Sequence, residues 1–135
     1  MRKLLLALLL CTTTFVNAQL ADCDITTRYT TFYEWSPDAD NYIKTGDGFM
    51  HTYIELRENY YTVKTDNMDK SISYWEFVGK TDKGDWKYGT EDGRRILFTS
   101  EEPFEMVIFY EYITELGRYS KAIILSKLSI KNIGN

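Results

Sequence analysis

Phe104-Glu105-Met106-Val107-Ile108-Phe109-Tyr110-Glu111-Tyr112 is followed, after Glu115-Leu116-Gly117, by Lys121-Ala122-Ile123-Ile124-Leu125-Ser126-Lys127-Leu128, and this pair of stretches decides the fold class. Both are dense in the aromatic and β-branched residues that suit a pleated surface. The segment between them reads as a three-residue hairpin loop with Gly117 at the position that needs a positive φ. Flanking that loop with Thr114 and Arg118 sets Glu111 opposite Lys121 and Glu105 opposite Lys127, with Phe109 opposite Ile123 and Val107 opposite Leu125 between them. The hairpin is then apolar on both faces. One face is core, and the strip of Val107, Phe109, Ile123 and Leu125 needs a cover from another layer, a partner or a ligand.

Working back along the chain, Ile25 to Trp35 alternates as a long first strand, with Thr27, Tyr29, Thr31, Tyr33 and Trp35 on one side. Ser36 to Asn41 breaks it, and Gly46-Asp47-Gly48 reads as a second turn. Phe49 to Leu56 and Tyr60 to Thr65 form a hairpin around Arg57-Glu58-Asn59. A two-residue turn there matches Ile54 with Val63 and Leu56 with Tyr61 but strains Glu58, whereas a three-residue loop favours Asn59 and loses the match. Ile72 to Lys80 follows the polar connection Asp66-Asn67-Met68-Asp69 as a strand. Trp86 to Thr90 and Arg94 to Thr99 then pair around Glu91-Asp92-Gly93, which sets Tyr88 opposite Ile96 and Trp86 opposite Phe98. About eight strands joined by short turns, with no sustained helical period, make an all-β antiparallel meander. Such a meander closes as a small barrel or, as the alternative, folds into a two-layer β-sandwich.

Met1-Arg2-Lys3, the apolar run Leu4 to Leu10 and the small-residue exit Val16-Asn17-Ala18 have the form of a secretory signal peptide. Residues 1–18 are therefore read as the signal and 19–135 as a single β domain that is exported, periplasmic or secreted, without a transmembrane segment. Removing Arg2 and Lys3 leaves 14 basic side chains against 20 acidic ones, a net charge near −6. That balance argues against a nucleic-acid partner, which needs clustered Lys and Arg. Cys23 is the sole cysteine after cleavage, so no disulfide framework forms within one chain.

The chemistry-bearing motifs are few. His51 is the single histidine, and Gly-x-Ser-x-Gly, Walker, His-Glu-x-x-His and Cys-x-x-Cys patterns are missing, which argues against common hydrolase, nucleotide and metal chemistry and implies no cofactor. Asp38-Ala39-Asp40-Asn41 with Asp47 is oxygen-rich, but Tyr42 stands where a calcium loop needs its third ligand, and no metal site is assigned. Two carboxylates suffice for glycoside hydrolysis, so that class stays as a third reading. Aromatic residues, 16% of the chain with 11 tyrosines and 3 tryptophans, are its strongest compositional feature, and Tyr and Trp suit a ligand cavity or a protein interface as well as a core.

An export signal followed by an eight-stranded meander resembles the calycin group, the lipocalins and related small barrels. Gly84-Asp85-Trp86 has the lipocalin Gly-x-Trp form, here past the middle of the chain rather than at the first strand. The resemblance implies an architecture and an apolar ligand class, and no binding residue is carried over from it. The sequence thus leads to an exported, non-catalytic binding or interaction protein of the cell envelope. Its interface would be Val107, Phe109, Ile123 and Leu125, through which it meets a protein partner or a second copy. The alternative is a small barrel whose interior, lined by Trp86, Tyr88, Ile96 and Phe98 with Ile108 and Tyr110, encloses an apolar small molecule, with Trp86, Tyr88, Phe98 and Tyr110 as its ligand-binding residues.

Overall fold

The computed structural model describes residues 19–133, so the expected export signal lies outside the described residues. These residues form eleven strands and no helix: β1 (Cys23–Thr27), β2 (Tyr29–Ser36), β3 (Asn41–Gly48), β4 (Thr52–Leu56), β5 (Tyr60–Thr65), β6 (Ser71–Lys80), β7 (Trp86–Thr90), β8 (Arg95–Phe98), β9 (Met106–Ile113), β10 (Arg118–Ser126) and β11 (Ser129–Asn132). All pairings are antiparallel and belong to one sheet, in the order β11-β1-β4-β5-β6-β7-β8-β9-β10-β2-β3. The all-β antiparallel expectation holds. Closure into a barrel does not, because the hydrogen-bonded order is open, with β11 and β3 at its two ends.

Eleven strands replace the expected eight for a local reason. The expected run from Ile25 to Trp35 is broken at Arg28 into β1 and β2, β3 forms in the stretch expected as turns, and β11 follows β10 beyond a break at Lys127-Leu128. Gly46-Asp47-Gly48, expected as a turn, lies inside β3 and pairs with β2. At Arg28 the alternation changes phase. Cys23, Ile25 and Thr27 are buried on β1, whereas Thr30 and Phe32 are the β2 residues that face the interior. A strand that slips phase by one residue exchanges its two faces, which is why the uninterrupted alternation from Ile25 to Trp35 misassigns the second half. β10 and β11 behave alike: Ile123 and Leu125 face inward before the break, Leu128 and Ile130 after it, with Lys127 at φ 51 between them.

Register follows turn length. The loop around Gly93 has the expected form, and Trp86 pairs with Phe98 and Tyr88 with Ile96. Between β4 and β5 the two-residue turn prevails, with Ile54 opposite Val63 and Leu56 opposite Tyr61; among the described residues the non-glycine positions with positive φ are Asp40, Asn67, Glu111 and Lys127, so Glu58 escapes the expected strain. The terminal hairpin is a correction. Its loop holds four residues, Thr114 to Gly117, closed by hydrogen bonds from the Leu116 and Gly117 amides to the Ile113 carbonyl. One extra loop residue moves every pair by one: Phe109 faces Ala122, Ile108 faces Ile123 and Met106 faces Leu125. Lys121 still reaches Glu111, diagonally, at 3.3 Å.

The core joins both ends of the strand order. Cys23, Ile25, Ile54, Leu56 and Tyr61 from one half pack with Trp75, Tyr88, Ile96, Phe98, Met106, Ile108 and Leu125 from the other. The sheet is therefore folded over on itself. At its centre Trp75 and Tyr88 stack with ring centroids 4.0 Å apart, flanked edge-on by Phe98. The Trp75 indole N–H donates to the Arg57 carbonyl at 2.9 Å. Trp75→Ala should therefore cost about 3–5 kcal/mol, the usual range for deleting a buried large aromatic, measured as a fall in the urea midpoint; an unchanged midpoint would show that the stack does not organise the core.

Candidate functional site

The interior is not filled evenly. Beside the aromatic centre lies a cavity of about 290 Å³, enclosed by Thr30 and Phe32 of β2, Gly48 of β3, Thr52 and Ile54 of β4, Val63 and Thr65 of β5, Ile108 of β9, and Ile123 and Leu125 of β10. Met50, from the break between β3 and β4, and Met68, from the β5–β6 turn, complete it. The lining contains no charged side chain. Its polar side chains are the threonines, and Thr52 is buried with its hydroxyl donating to the Met50 carbonyl at 3.2 Å. A space with this lining favours hydrocarbon over any group that needs a charge or several hydrogen bonds.

The mouth is marked by residues that line the cavity and yet meet solvent. Phe32 is 37% exposed, Met50 46% and Met68 61%. The segments that carry the two methionines are tied together, since the Asp66 amide donates to the His51 carbonyl at 3.2 Å. The β5–β6 turn is held in turn by Lys64, whose ammonium donates to the carbonyls of Thr65 and Met68. Methionine side chains are flexible and polarizable, which suits a rim over which an irregular apolar body must pass.

The four residues expected to bind a ligand lie elsewhere. Tyr88 and Phe98 are buried in the core, Trp86 packs against it from the side, and Tyr110 is half-buried on β9. None of the four borders the 290 Å³ cavity. Trp86 and Phe98 instead border a second apolar cavity, of about 220 Å³, together with Leu20, Cys23, Leu56, Phe104 and Leu128. The expected interface strip is divided by the register correction. Ile123 and Leu125 face the first cavity, whereas Val107 and Phe109 are half-buried on the opposite side of the hairpin. Phe109 is covered by the chain itself, with Tyr42 at 5.9 Å and Tyr119 at 6.0 Å between ring centroids. Tyr42 donates its hydroxyl to the Tyr119 carbonyl at 2.7 Å, and Arg118 lies 3.7 Å over the adjoining Trp35 ring.

Thr30, Phe32, Gly48, Met50, Thr52, Thr65 and Met68 are lining residues that sequence reasoning missed. Met68 sits in a stretch otherwise made of Asp, Asn and Lys, and an unbroken alternation through Arg28 sets Phe32 on the side opposite Thr27, which hides that both face inward. Two signals were available: Ile108, expected to face the interior, lines the cavity, and so do the paired Ile54 and Val63.

The remaining chemistry-bearing groups have structural partners. His51 Nδ1 lies 3.2 Å from the Tyr53 hydroxyl. Burial pushes the Cys23 thiol pKa up, with Asp24 adding to the effect, so the thiol stays protonated and enclosed. Asp85, Glu101 and Glu105 line a cleft of about 460 Å³. Asp85 Oδ1 there accepts from the Ser100 amide at 2.9 Å and from its hydroxyl at 3.2 Å, which commits it to holding the loop. Among the described residues no group of three or more His, Cys, Asp or Glu side chains is placed to hold a metal ion, and no helix is long and apolar enough to cross a membrane. Comparison with known proteins adds no relative: no family model matches the chain, nor does any curated protein or solved structure.

Tyr88 gives the core a pH signature. Burial pushes its phenol pKa up to about 12, against a smaller lowering by the hydrogen bond from the Leu20 amide at 3.0 Å. The unfolded phenol ionises near 10, so its contribution to stability is complete below that pH and is lost as pH rises from about 10 to about 12. Burial raises Tyr61 in the same direction. Urea midpoints measured across this range should fall with pH, and Tyr88→Phe should flatten the fall; an equal slope in the variant would place the loss on other groups.

Proposed function

We propose that this protein is an exported, non-catalytic binding protein that takes one small apolar molecule into the cavity between β4–β5 and β9–β10–β2. The observation that supports this reading is the unfilled interior itself, uncharged along its whole lining and open at a rim of Phe32, Met50 and Met68. At about 290 Å³ it stands at the low end of small-molecule sites, which run from about 300 to 1,000 Å³. In this reading the open sheet, folded over on itself, holds the ligand between its two halves. The chain runs on directly from β1 to β2 and from β10 to β11, so it passes between the two halves of the strand order at Arg28 and at Lys127-Leu128.

The protein-contact reading keeps one observation in its favour, because Ile72, Tyr74 and Val78 stand exposed on one side of β6. It ranks second, since the strip first expected to form the interface is divided between two faces. The carboxylate-dependent hydrolase ranks third, because Asp85 in the acidic cleft is held by Ser100.

Two variants test the binding site. A Cβ at Gly48 would lie 3.5 Å from the Phe32 ring, an ordinary contact, and Gly48 has no positive φ that a side chain would strain. Gly48→Leu should therefore fold and project into the cavity, as should Ile123→Trp from the facing wall. Wild-type protein is expected to bind a fluorescent naphthalene probe at one site, and both variants to weaken it by about tenfold or more. Absence of wild-type binding, or full binding by both folded variants, would overturn the assignment.

A further inference from the structure

Resting on the reading of the cavity as an apolar-ligand site, we infer that Phe32 is its gate and size selector, and that Gly46 and Gly48 form the floor over which the ring turns. Phe32 lies on the boundary of the site: its side chain borders the cavity and is also 37% exposed. Its cross-strand partner is Gly46, and Gly48 follows two residues on along the same strand, opposite Thr30. A Cβ placed at Gly48 would meet Cε2 of the Phe32 ring at 3.5 Å and Cζ at 4.0 Å, whereas a Cβ placed at Gly46 would meet no atom within 4 Å. The ring thus covers Gly48 and leaves the space over Gly46 free.

Backbone conformation does not account for these glycines. Both lie inside β3, and neither has a positive φ. A glycine within a strand costs about 0.5–1 kcal/mol relative to alanine, and two of them beside one aromatic ring double that cost. What they provide in return is room. The pairing of β2 with β3 also shifts between Phe32 and Tyr33, leaving Thr45 as the extra residue, and the Thr45 hydroxyl donates to the Phe32 carbonyl at 3.3 Å. Bulges of this kind re-aim a side chain beside a site. With the ring over Gly48 the cavity has its 290 Å³. A turn of the side chain toward Gly46 widens the mouth and adds the ring's own volume to the site, so one fold accepts a short hydrocarbon with the gate closed and a longer one with it open.

The test uses the folded wild-type chain, Gly46→Val and Phe32→Ala, with straight-chain alcohols of increasing length displacing a naphthalene fluorophore, and stopped-flow release of the bound probe. Valine suits a strand and occupies the vacant space, so Gly46→Val should bind short alcohols as the wild type does and lose long ones by about tenfold. Phe32→Ala should release the probe about tenfold faster and extend the range of lengths bound. It adds no atoms, and so keeps the test decisive should Gly46→Val fail to fold. One chain-length profile and one release rate shared by wild type and folded variants would overturn the gate while leaving the ligand site intact. A wild type that binds neither probe nor alcohol would overturn the ligand site and the gate together.

Discussion

The hydroxyl of Thr27 holds the point on which the architecture turns. Buried at the end of β1, it donates to the Ser126 carbonyl at the end of β10 and accepts from the Tyr29 amide, 3.1 Å away, at the start of β2. Both long outer segments of the sheet break beside it, one at Arg28 and the other at Lys127. One buried hydroxyl thereby supplies a donor and an acceptor where two ladders are interrupted, the place at which unpaired backbone groups would otherwise carry a desolvation cost. Because β1 pairs with β4 and β11 while β2 pairs with β10 and β3, the bend hands the chain from one end of the strand order to the other.

The distribution of side-chain volume follows from that bend. The middle of the folded sheet receives the largest side chains, Trp75, Tyr61, Tyr88 and Phe98, all buried. Toward the β3–β4 break the inward positions pass to Thr30, Gly48, Thr52, Val63 and Thr65, whose combined bulk does not fill the same cross-section. The opposite end is closed by Arg57, whose guanidinium donates to the Cys23 and Leu56 carbonyls and pairs with Asp24 at 3.0 Å. Four different acceptors, with Glu55 at 3.4 Å the fourth, fix that fork in place, a task a lysine ammonium performs poorly.

Much of the fold was legible in the residues, and the reasons for the failures are local. Trp86 and Tyr88 could be matched to Phe98 and Ile96 because Gly93 announces its loop and the four apolar residues agree with it. The terminal hairpin carries an equally clear glycine, but Thr114 gives no sign that the loop has taken a fourth residue, and that single residue moved Ile123 and Leu125 from a supposed interface into the interior. Arg28 and Lys127 are charged residues in otherwise regular alternations, and nothing in their identity marks a change of phase. The cavity was invisible for a related reason: periodicity reports which residues face inward, but emptiness depends on how the volumes of six strands add up. Large aromatics drew the expected ligand site to Trp86, Tyr88, Phe98 and Tyr110, and bulk is what fills a core.

The placement of the three tryptophans divides the molecule optically. Trp35 lies under the Arg118 guanidinium beside Tyr42, Trp75 is stacked on Tyr88 in the sealed centre, and Trp86 borders the smaller cavity below Lys80. None of them borders the larger cavity. Intrinsic emission is therefore blind to direct contact with an occupant there, and any change in it on loading would be a strain gauge reading, a sign that the load has been passed through the strands to the aromatic centre or to the outer ring cluster.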